Sequence, residues 1–446
     1  MKKALLPALI ALAIPGAAGA ADLLAVYRDA VANDQVFAAA RASQVAGQEK
    51  LPQARAGLLP TLSATANTTW NDTDYQRRTP GARTAYGEYN SHGWNVQLSQ
   101  PLFRWQNWVQ YKQGELAVAQ SDLQFGLARQ DLIVRVAQAY FDVLLAQETL
   151  ATAKAQKVAI AEQLESAKRN FEVGTATITD THEAQSRYDL AVAAEIASEN
   201  DLTVKRQVLR SVTGKEPDSL KGLKPGIQLG RPQPDNMVNW VQSAEEGALT
   251  VQLGQVGLEN ADREIEKQRA GHYPTLDLVA ARSRSSQTGS LNTLGVLGSN
   301  AGSDTNSRTI GLQLAVPIFA GGSVMSRDRE AVALREKSLA DLENARRQAA
   351  LAARQAYLGV TSGLAQVKAY EAAVVSSQSA LESNKLGYEV GVRINIDVLN
   401  AQSQLFDTRQ KLVKARLDTL AALLKLKAAA GTLSEDDVAA VNTLLE

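Results

Sequence analysis

The residue types that usually carry out catalysis are rare and scattered in this sequence. The chain has no cysteine and three histidines, His92, His182 and His272, which lie far apart. Their spacing fits no metal-binding pattern, and neither a nucleophile elbow nor a phosphate-binding loop is present. We therefore predict no catalytic residue, no metal site and no cofactor, and an enzymatic function is disfavoured.

Two aspartates at equivalent positions are the more informative chemical feature. Asp180 and Asp397 lie 217 positions apart, and each follows a related turn sequence, FEVG at 171–174 and YEVG at 388–391. The chain is therefore built from two similar halves. An aspartate at the start of a helix commonly caps it, and capping is the favoured role when each residue is considered alone.

The N-terminal residues and the overall charge restrict where such a chain works. Lys2 and Lys3 precede an apolar run and the small residues AGA at 18–20, so residues 1–20 are expected to be a cleaved secretory signal. The chain carries 47 basic and 47 acidic residues, and this balance does not suggest a nucleic-acid partner. No later stretch reaches the roughly 18 apolar residues that a membrane helix requires. Any membrane-spanning segments must then be strands.

Most of the chain is predicted to be helical, in helices too long for a globular domain. A first helix is expected over about 21–56 and a second over about 104–170, a rod on the order of 100 Å. A third is expected from Asp180 as N-cap to Gly214 as the residue after the helix. Small and apolar residues recur at heptad spacing in this helix and in its second copy, which predicts coiled-coil packing. Amphipathic helices of a compact bundle are the alternative.

Each half also contains two segments in which apolar and polar residues alternate, as they do in amphipathic strands. One pair begins at Thr61 and Trp94, and its counterpart covers about 276–282 and 309–316. Long polar loops are expected to join the strands of each pair, over 71–92 in the first half and 283–307 in the second. A half-buried sheet of a soluble protein is the alternative.

The tryptophans support a membrane location for these strands. Four of the five lie on or beside the first strand pair, an arrangement typical of the aromatic belts at membrane interfaces. They are Trp70, Trp94, Trp105 and Trp108.

Four strands per chain are too few to close a barrel, and an open sheet edge in lipid leaves backbone groups unpaired. Several chains must therefore share one barrel. Two chains would give eight strands, the narrowest closed form, and three would give twelve. The small residues Gly311 and Ala315, which are predicted to face inward, favour the wider, water-filled form.

Six short motifs in this order resemble those of the TolC-type outer-membrane efflux and secretion channels, and the resemblance covers nearly the whole chain after the leader. They are LPTL (59–62), YPTLDL (273–278), PIFAGG (317–322), GYEVG (387–391), IDVL (396–399) and GTLSEDD (431–437). The resemblance implies a homotrimer with one shared barrel and a periplasmic helical tunnel. It also implies outer-membrane lipid around the barrel and, as partners, a periplasmic adaptor (membrane fusion) protein with an RND, ABC or MFS transporter of the inner membrane.

The same resemblance gives expected roles to residues near the two turns. The turns themselves, Val173-Gly174 and Val390-Gly391, become the periplasmic tips. The pore constriction is assigned to Asp397 and Asn400, where Asn400 replaces a second ring aspartate of the family and weakens the expected attraction for cations. Links that hold the entrance closed are assigned to Thr179, Asp180, Tyr388 and Arg393.

Two other classes of protein share some of these features. A periplasmic adaptor also has a helical hairpin, but it would carry one hairpin between small β domains. A self-contained porin would need many more strands and much less helix. The duplicated hairpins and paired amphipathic strands favour the channel.

The predicted fold is therefore mainly α with a membrane β-barrel and an internal duplication. A coiled-coil α-barrel tunnel continues from a twelve-stranded barrel, to which each chain of the homotrimer contributes four strands. The predicted segments are a signal peptide (1–20), repeat 1 (21–213), a linker or equatorial segment (214–238), repeat 2 (239–431) and a C-terminal equatorial segment (432–446). The predicted location is the outer membrane of a Gram-negative bacterium, with a large periplasmic portion.

Overall fold

The computed structural model describes residues 20–75, 78, 85–215, 219–289 and 302–446. The expected leader, 1–20, lies outside these ranges except for its last residue. The helices are α1 (Leu23–Asn33), α2 (Gln35–Gln48), α3 (Lys50–Ala56), α4 (Trp105–Glu172), α5 (Ile178–Thr213), α6 (Met237–Gly247), α7 (Leu249–Arg269), α8 (Ser323–Glu389), α9 (Asn395–Ala429) and α10 (Glu435–Asn442). The strands are β1 (Thr61–Tyr75), β2 (Ala85–Phe103), β3 (Thr275–Gln287) and β4 (Ser303–Ala315).

The chain divides into two compact units. One contains the residues up to Ala42 together with Gln124–Gln252 and Asn344–Glu446, and the other contains Ser43–Leu123 and Leu253–Glu343. The four strands belong to the second unit, and the turns that carry the two aspartates belong to the first.

The long helices confirm the prediction from sequence. α4 has 68 residues and α8 has 67, so each extends for about 100 Å. The shorter helices that follow them are also nearly equal in length, with 36 residues in α5 and 35 in α9. α5 ends as predicted at Gly214, whose φ of 73° is accessible to glycine at little cost. In the described part of the chain, no helix is both long enough and apolar enough to cross a bilayer.

The prediction of one continuous helix over 21–56 was wrong, because the chain breaks twice within it. At the first break, Asp34 leaves the helical conformation and its buried carboxylate accepts a 2.6 Å hydrogen bond from the Phe37 backbone N–H. Arg135 of α4 donates to the same carboxylate at 3.0 and 3.2 Å. Burial opposes ionisation of Asp34, but these hydrogen bonds outweigh it and lower the pKa of the carboxyl group. The second break, at Glu49, precedes Pro52, whose ring and missing N–H disrupt a continuous helix.

The sheet is antiparallel, in the order β1-β2-β3-β4. Its strands are longer than predicted, so the expected loops at 71–92 and 283–307 were too long: β1 continues to Tyr75, and β2 starts at Ala85. What remains of both loops lies largely outside the described residues. The strands extend further because paired residues such as Thr69 and Ser91 complete the ladder although their side chains are polar.

The two faces of the sheet differ in polarity. One face presents Ile310, Leu312 and Leu314, with exposed fractions of 78%, 65% and 64%. The opposite face of the same strand presents Gly311 and Gln313, and successive side chains must alternate in this way. The register continues the polar face across the sheet through rows such as Thr65 with Asn95, so apolar and polar residues lie on opposite sides as predicted.

The main core of the first unit lies where α1, α4, α5, α9 and α10 meet, and the segment between the repeats packs against it. The side chains of Tyr140 and Phe141 are fully buried there, and Leu220 and Leu223 of the inter-repeat segment contact the cluster. The Tyr140 hydroxyl donates to the backbone oxygens of Lys221 at 2.7 Å and Ala21 at 3.3 Å. Burial raises the pKa of this phenol, which therefore stays a neutral donor.

We expect Tyr140→Phe to destabilise the protein by about 1–2 kcal/mol, because the Lys221 carbonyl loses its buried donor. The matched control is Tyr357→Phe. Tyr357 occupies the equivalent position of the second half, but its hydroxyl donates at 3.0 Å to the exposed carboxylate of Asp235, and its removal should cost less than about 0.5 kcal/mol. Guanidinium unfolding of the full-length protein in detergent, followed by circular dichroism, measures both. Equal shifts in the two variants would contradict this account of the core.

Candidate functional site

Two turns with the same backbone geometry lie at the ends of α4 and α8. Gly174 and Gly391 adopt φ of 77° and 76°, a left-handed conformation that favours glycine. In the first turn the N–H of Thr175 donates to the Asn170 oxygen at 2.8 Å, and in the second Val392 donates to Gly387 at 2.8 Å. These bonds satisfy helix carbonyls that would otherwise lack partners. The repeated FEVG and YEVG sequences therefore encode one backbone structure.

Exposed valines cover both turns. Val173 and Val390 have exposed fractions of 71% and 64% in the single chain. Both lie one residue before a turn glycine, so each half presents an exposed apolar side chain at its turn.

The first turn leads into a fully capped helix, but its cap is not the residue predicted. Thr177 is the N-cap of α5, and Asp180 is the third helical residue of a capping box. The Asp180 N–H donates to the Thr177 hydroxyl oxygen at 3.3 Å, and the Asp180 carboxylate accepts from the Thr177 N–H at 2.9 Å. The prediction of Asp180 as N-cap was therefore wrong by three residues, because threonine supplies the oxygen that caps the helix.

The second turn lacks this arrangement. Ile394 stands where the first half has Thr177 and has no side-chain oxygen, so no side chain caps α9 there. The Asp397 carboxylate instead lies 3.6 Å from the guanidinium of Arg393, and both side chains remain partly exposed. Asp397 is therefore not engaged in capping as Asp180 is, and its carboxylate faces the Arg393 guanidinium instead.

Tyr388, a predicted gate link, and Asn400, a predicted constriction residue, bond within the chain to partners that the sequence did not indicate. The Tyr388 hydroxyl accepts a 2.9 Å hydrogen bond from the Asn170 amide, which joins α8 to α4. The Asn400 amide oxygen accepts at 3.0 Å from Arg187, which joins α9 to α5. Thr179 is exposed. Thr179, Asp180, Tyr388 and Arg393 are thus close to the turns but do not bond to one another in the single chain.

A hydrogen-bonded amide pair, of which Asn395 is the buried member, adds a polar contact that the sequence did not predict. Asn395 is 1% exposed, and its side-chain oxygen accepts a hydrogen bond from Gln163 of α4. Within the described residues its Nδ2 has no partner. No spacing pattern relates Gln163, Asn170 or Arg187 to their partners, which lie more than 200 positions away in sequence.

The four predicted interface tryptophans fall into two pairs. Trp70 of β1 and Trp94 of β2 lie on the apolar face of the sheet and are 78% and 41% exposed. Trp105 and Trp108 belong to the first turns of α4. The Trp105 indole donates at 3.0 Å to Glu266, and the Trp108 ring packs beside Tyr111.

The sheet is tied to the start of α4 by one bidentate ion pair. Arg104, between β2 and α4, donates at 2.8 and 2.6 Å to the buried carboxylate of Asp277 in β3. A planar guanidinium that meets both carboxylate oxygens fixes orientation as well as distance. The link between strand and helix is therefore geometrically defined.

Comparison with known proteins gives a consistent result. The outer membrane efflux protein family matches residues 26–215 and 240–432. Outer membrane protein TolC of Vibrio cholerae is 33% identical, with 100% of this chain and 99% of that protein covered. The proteases secretion protein PrtF of Dickeya chrysanthemi is also 33% identical, with coverage of 98% and 94%. The crystal structure of the Campylobacter jejuni CmeC outer membrane channel superimposes with a TM-score of 0.77 at 16% identity and covers 95% of this chain and 90% of that one.

We expect Ile394→Thr to build into the second turn the cap that the first turn already has. A hydroxyl at this position can pair with Asp397 as Thr177 pairs with Asp180, which should stabilise the start of α9 by about 0.5–1 kcal/mol. Hydrogen exchange of peptides covering 394–404 should slow accordingly.

The reciprocal substitution, Thr177→Ile, serves as the control. It should speed exchange in peptides covering 177–187 and leave α9 unchanged. If Ile394→Thr had no effect while Thr177→Ile loosened α5, the difference between the turns would have a cause other than the capping side chain.

Proposed function

The chain belongs to the outer membrane efflux protein family, and on this premise we propose how it works. It is an outer-membrane channel that serves as an exit duct for secretion and efflux. Three copies form one channel, in which the strands together line the membrane pore and the long helices form a periplasmic tunnel. The duct is passive and is opened at its periplasmic tip when an adaptor and an inner-membrane transporter dock.

The observation that carries this proposal is a single sheet with one apolar face, one polar face and two free edges. In the described part of the chain, β1 and β4 each pair with one strand only. Backbone groups at such edges have no water to bind in a bilayer, so they need strands from other copies. The polar face would then line an aqueous pore.

Apolar side chains on the helices support association of copies as well. Several are more than 45% exposed in the single chain, although coiled-coil packing would bury residues of this kind. They are Leu190, Ile196, Val204 and Val208 on α5, and Leu351, Leu358, Val375 and Leu386 on α8. Neighbouring copies that cover these side chains would close the helices into a tunnel.

The names of the relatives suggest the class of cargo. A proteases secretion protein and TolC proteins are both similar along nearly the whole chain. We propose type I secretion, multidrug efflux or both, with an RND, ABC or MFS transporter as the inner-membrane partner. A periplasmic adaptor would bridge the two, and the chain itself would perform no catalysis.

The constriction is assigned to the second turn of each copy. Asp397 would form a ring of three carboxylates, with Asn400 one helical turn further along α9. The 3.6 Å contact between Arg393 and Asp397 supports a closed tip whose charge is partly compensated. Thr179, Asp180 and Tyr388 would join the links that hold it closed once neighbouring copies are present.

We expect Asp397→Asn to lower the cation-to-anion permeability ratio at least about twofold, because three carboxylates leave the narrowest part of the pore. Reversal potentials of the purified channel in planar bilayers under a salt gradient measure this ratio. The converse variant Asn400→Asp should raise it by a smaller factor, since Arg187 lies 3.0 Å from that side chain and would pair with the new charge. Unchanged reversal potentials in Asp397→Asn would remove the ring from the proposal, and a protein that conducts no ions would contradict the function itself.

We also expect Arg393→Ser to raise single-channel conductance, because the second turn loses its ion pair with Asp397. The matched control is Lys411→Ser, which removes an exposed ion pair with Asp407, also four residues apart, from the middle of α9. Its conductance should equal that of the wild type. Equal conductance in both variants would exclude Arg393 from the gate.

A further inference from the structure

Two arginines face each other on the apolar side of the sheet. Arg282 of β3 and Arg308 of β4 are direct partners in the strand register, and both are exposed. Side chains at such positions start only about 5 Å apart, so their like charges repel. Within the described part of the chain, neither guanidinium has a hydrogen bond or an ion pair. The pair is therefore an uncompensated concentration of positive charge.

The pair lies on the strands between the apolar rows and the loops. Toward the helices, the same face carries three apolar rows: Leu276 with Leu314, Leu278 with Leu312, and Ala280 with Ile310. The arginines form the next row, on the side of the loops. Adjacent to the pair is Arg284, which lies opposite Trp94 of β2. Tryptophan marks the boundary between hydrocarbon and headgroups, so the arginines lie at the outer end of the apolar band.

A shallow pocket lies beside Arg284, between β2 and β3, one row further toward the loops than the pair. It has a volume of about 430 Å³ and is lined on this face by Trp94, His92, Arg284 and Ser286. Arg284 is already paired with Asp304 at 3.1 Å, and His92 contacts the Asn90 side chain at 2.8 Å. Asp304 is therefore engaged by Arg284, and it does not pair with Arg282 or Arg308. The surface thus combines two free guanidinium groups, an indole and a concavity of the size of a sugar headgroup.

We propose that Arg282 and Arg308 bind a phosphate group of a phosphorylated glycolipid in the outer leaflet of the membrane. One guanidinium group can donate two parallel hydrogen bonds to the oxygens of one phosphate, and it stays positively charged at the membrane surface. The acyl chains would lie along the apolar rows below the arginines, and the sugar would occupy the pocket beside Trp94. This inference rests on the proposed function, in which this face of the sheet contacts lipid.

The chemistry favours a lipid over free phosphate because the arginines border an apolar surface on the helix side. A small anion would use the two guanidinium groups and gain nothing from Leu312 or Ile310. A lipid uses both surfaces at once, which explains why the charged row directly follows the apolar rows.

The test uses the full-length protein in detergent, with diphosphoryl lipid A as the probe and native mass spectrometry as the readout. The double variant Arg282→Gln/Arg308→Gln should bind lipid A at least about tenfold more weakly than the wild type, because two charge-assisted contacts are lost. The control Lys337→Gln/Lys411→Gln removes two exposed positive charges from α8 and α9 and should bind like the wild type. Inorganic phosphate at millimolar concentration should not compete.

Each other outcome overturns the proposal in a different way. Unchanged binding in the Arg282/Arg308 double variant excludes this site, and competition by inorganic phosphate identifies a free-anion site instead. Normal lipid binding with weakened association of copies would mean that the arginines pair with a neighbouring chain. Planar-bilayer conductance of the same samples distinguishes failure of the lipid site from failure of the proposed function. A wild type that conducts, together with unaltered lipid binding in the variant, refutes only the lipid site. A wild type that does not conduct refutes the proposed function.

Discussion

A backbone N–H or C=O group without a partner costs several kcal/mol in hydrocarbon, and this constraint governs the rest of the protein. Each chain has one four-stranded sheet whose outward face is apolar and whose edge strands, β1 and β4, each have one neighbour in the described structure. Such a sheet is incomplete in a membrane. The ion pair of Arg104 with Asp277 fixes the start of α4 to the sheet. The first turn of α4 is therefore held in a defined orientation to β3.

The duplication repeats the backbone but not the chemistry. Gly174 and Gly391 form nearly identical turns, yet Thr177 caps α5 while its counterpart Ile394 cannot cap α9. The tyrosines at 140 and 357 differ in the same way, since one is buried in the core and the other bonds to an exposed carboxylate. The backbone geometry is the same in both halves because glycine and helix periodicity encode it locally. The side-chain roles differ because each half has different neighbours.

The sequence predicted those features that depend on local patterns. Heptad spacing and the absence of proline indicated the long helices, and alternation indicated strands such as β4. It failed where a single contact decides the structure: the break at Asp34 depends on Arg135, which lies 101 positions away. The strand ends were also missed, because backbone pairing extends past the point where polar side chains end the alternating pattern. Of the candidate site, the turns followed from repeated glycines, but the partners of Tyr388 and Asn400 come from other helices and follow no spacing rule.

Pairing of β1 in one copy with β4 in the next is the central claim, and disulfide cross-linking tests it most directly. The natural chain has no cysteine, so the background is clean. Gly311→Cys in β4 can be combined in turn with Thr61→Cys, Ser63→Cys or Thr65→Cys in β1, all on the polar face. Oxidation of intact cells should give covalent trimers in at least one double variant and in none of the corresponding single variants. Monomers in every double variant, from cells whose protein still conducts ions after purification, would contradict the shared sheet.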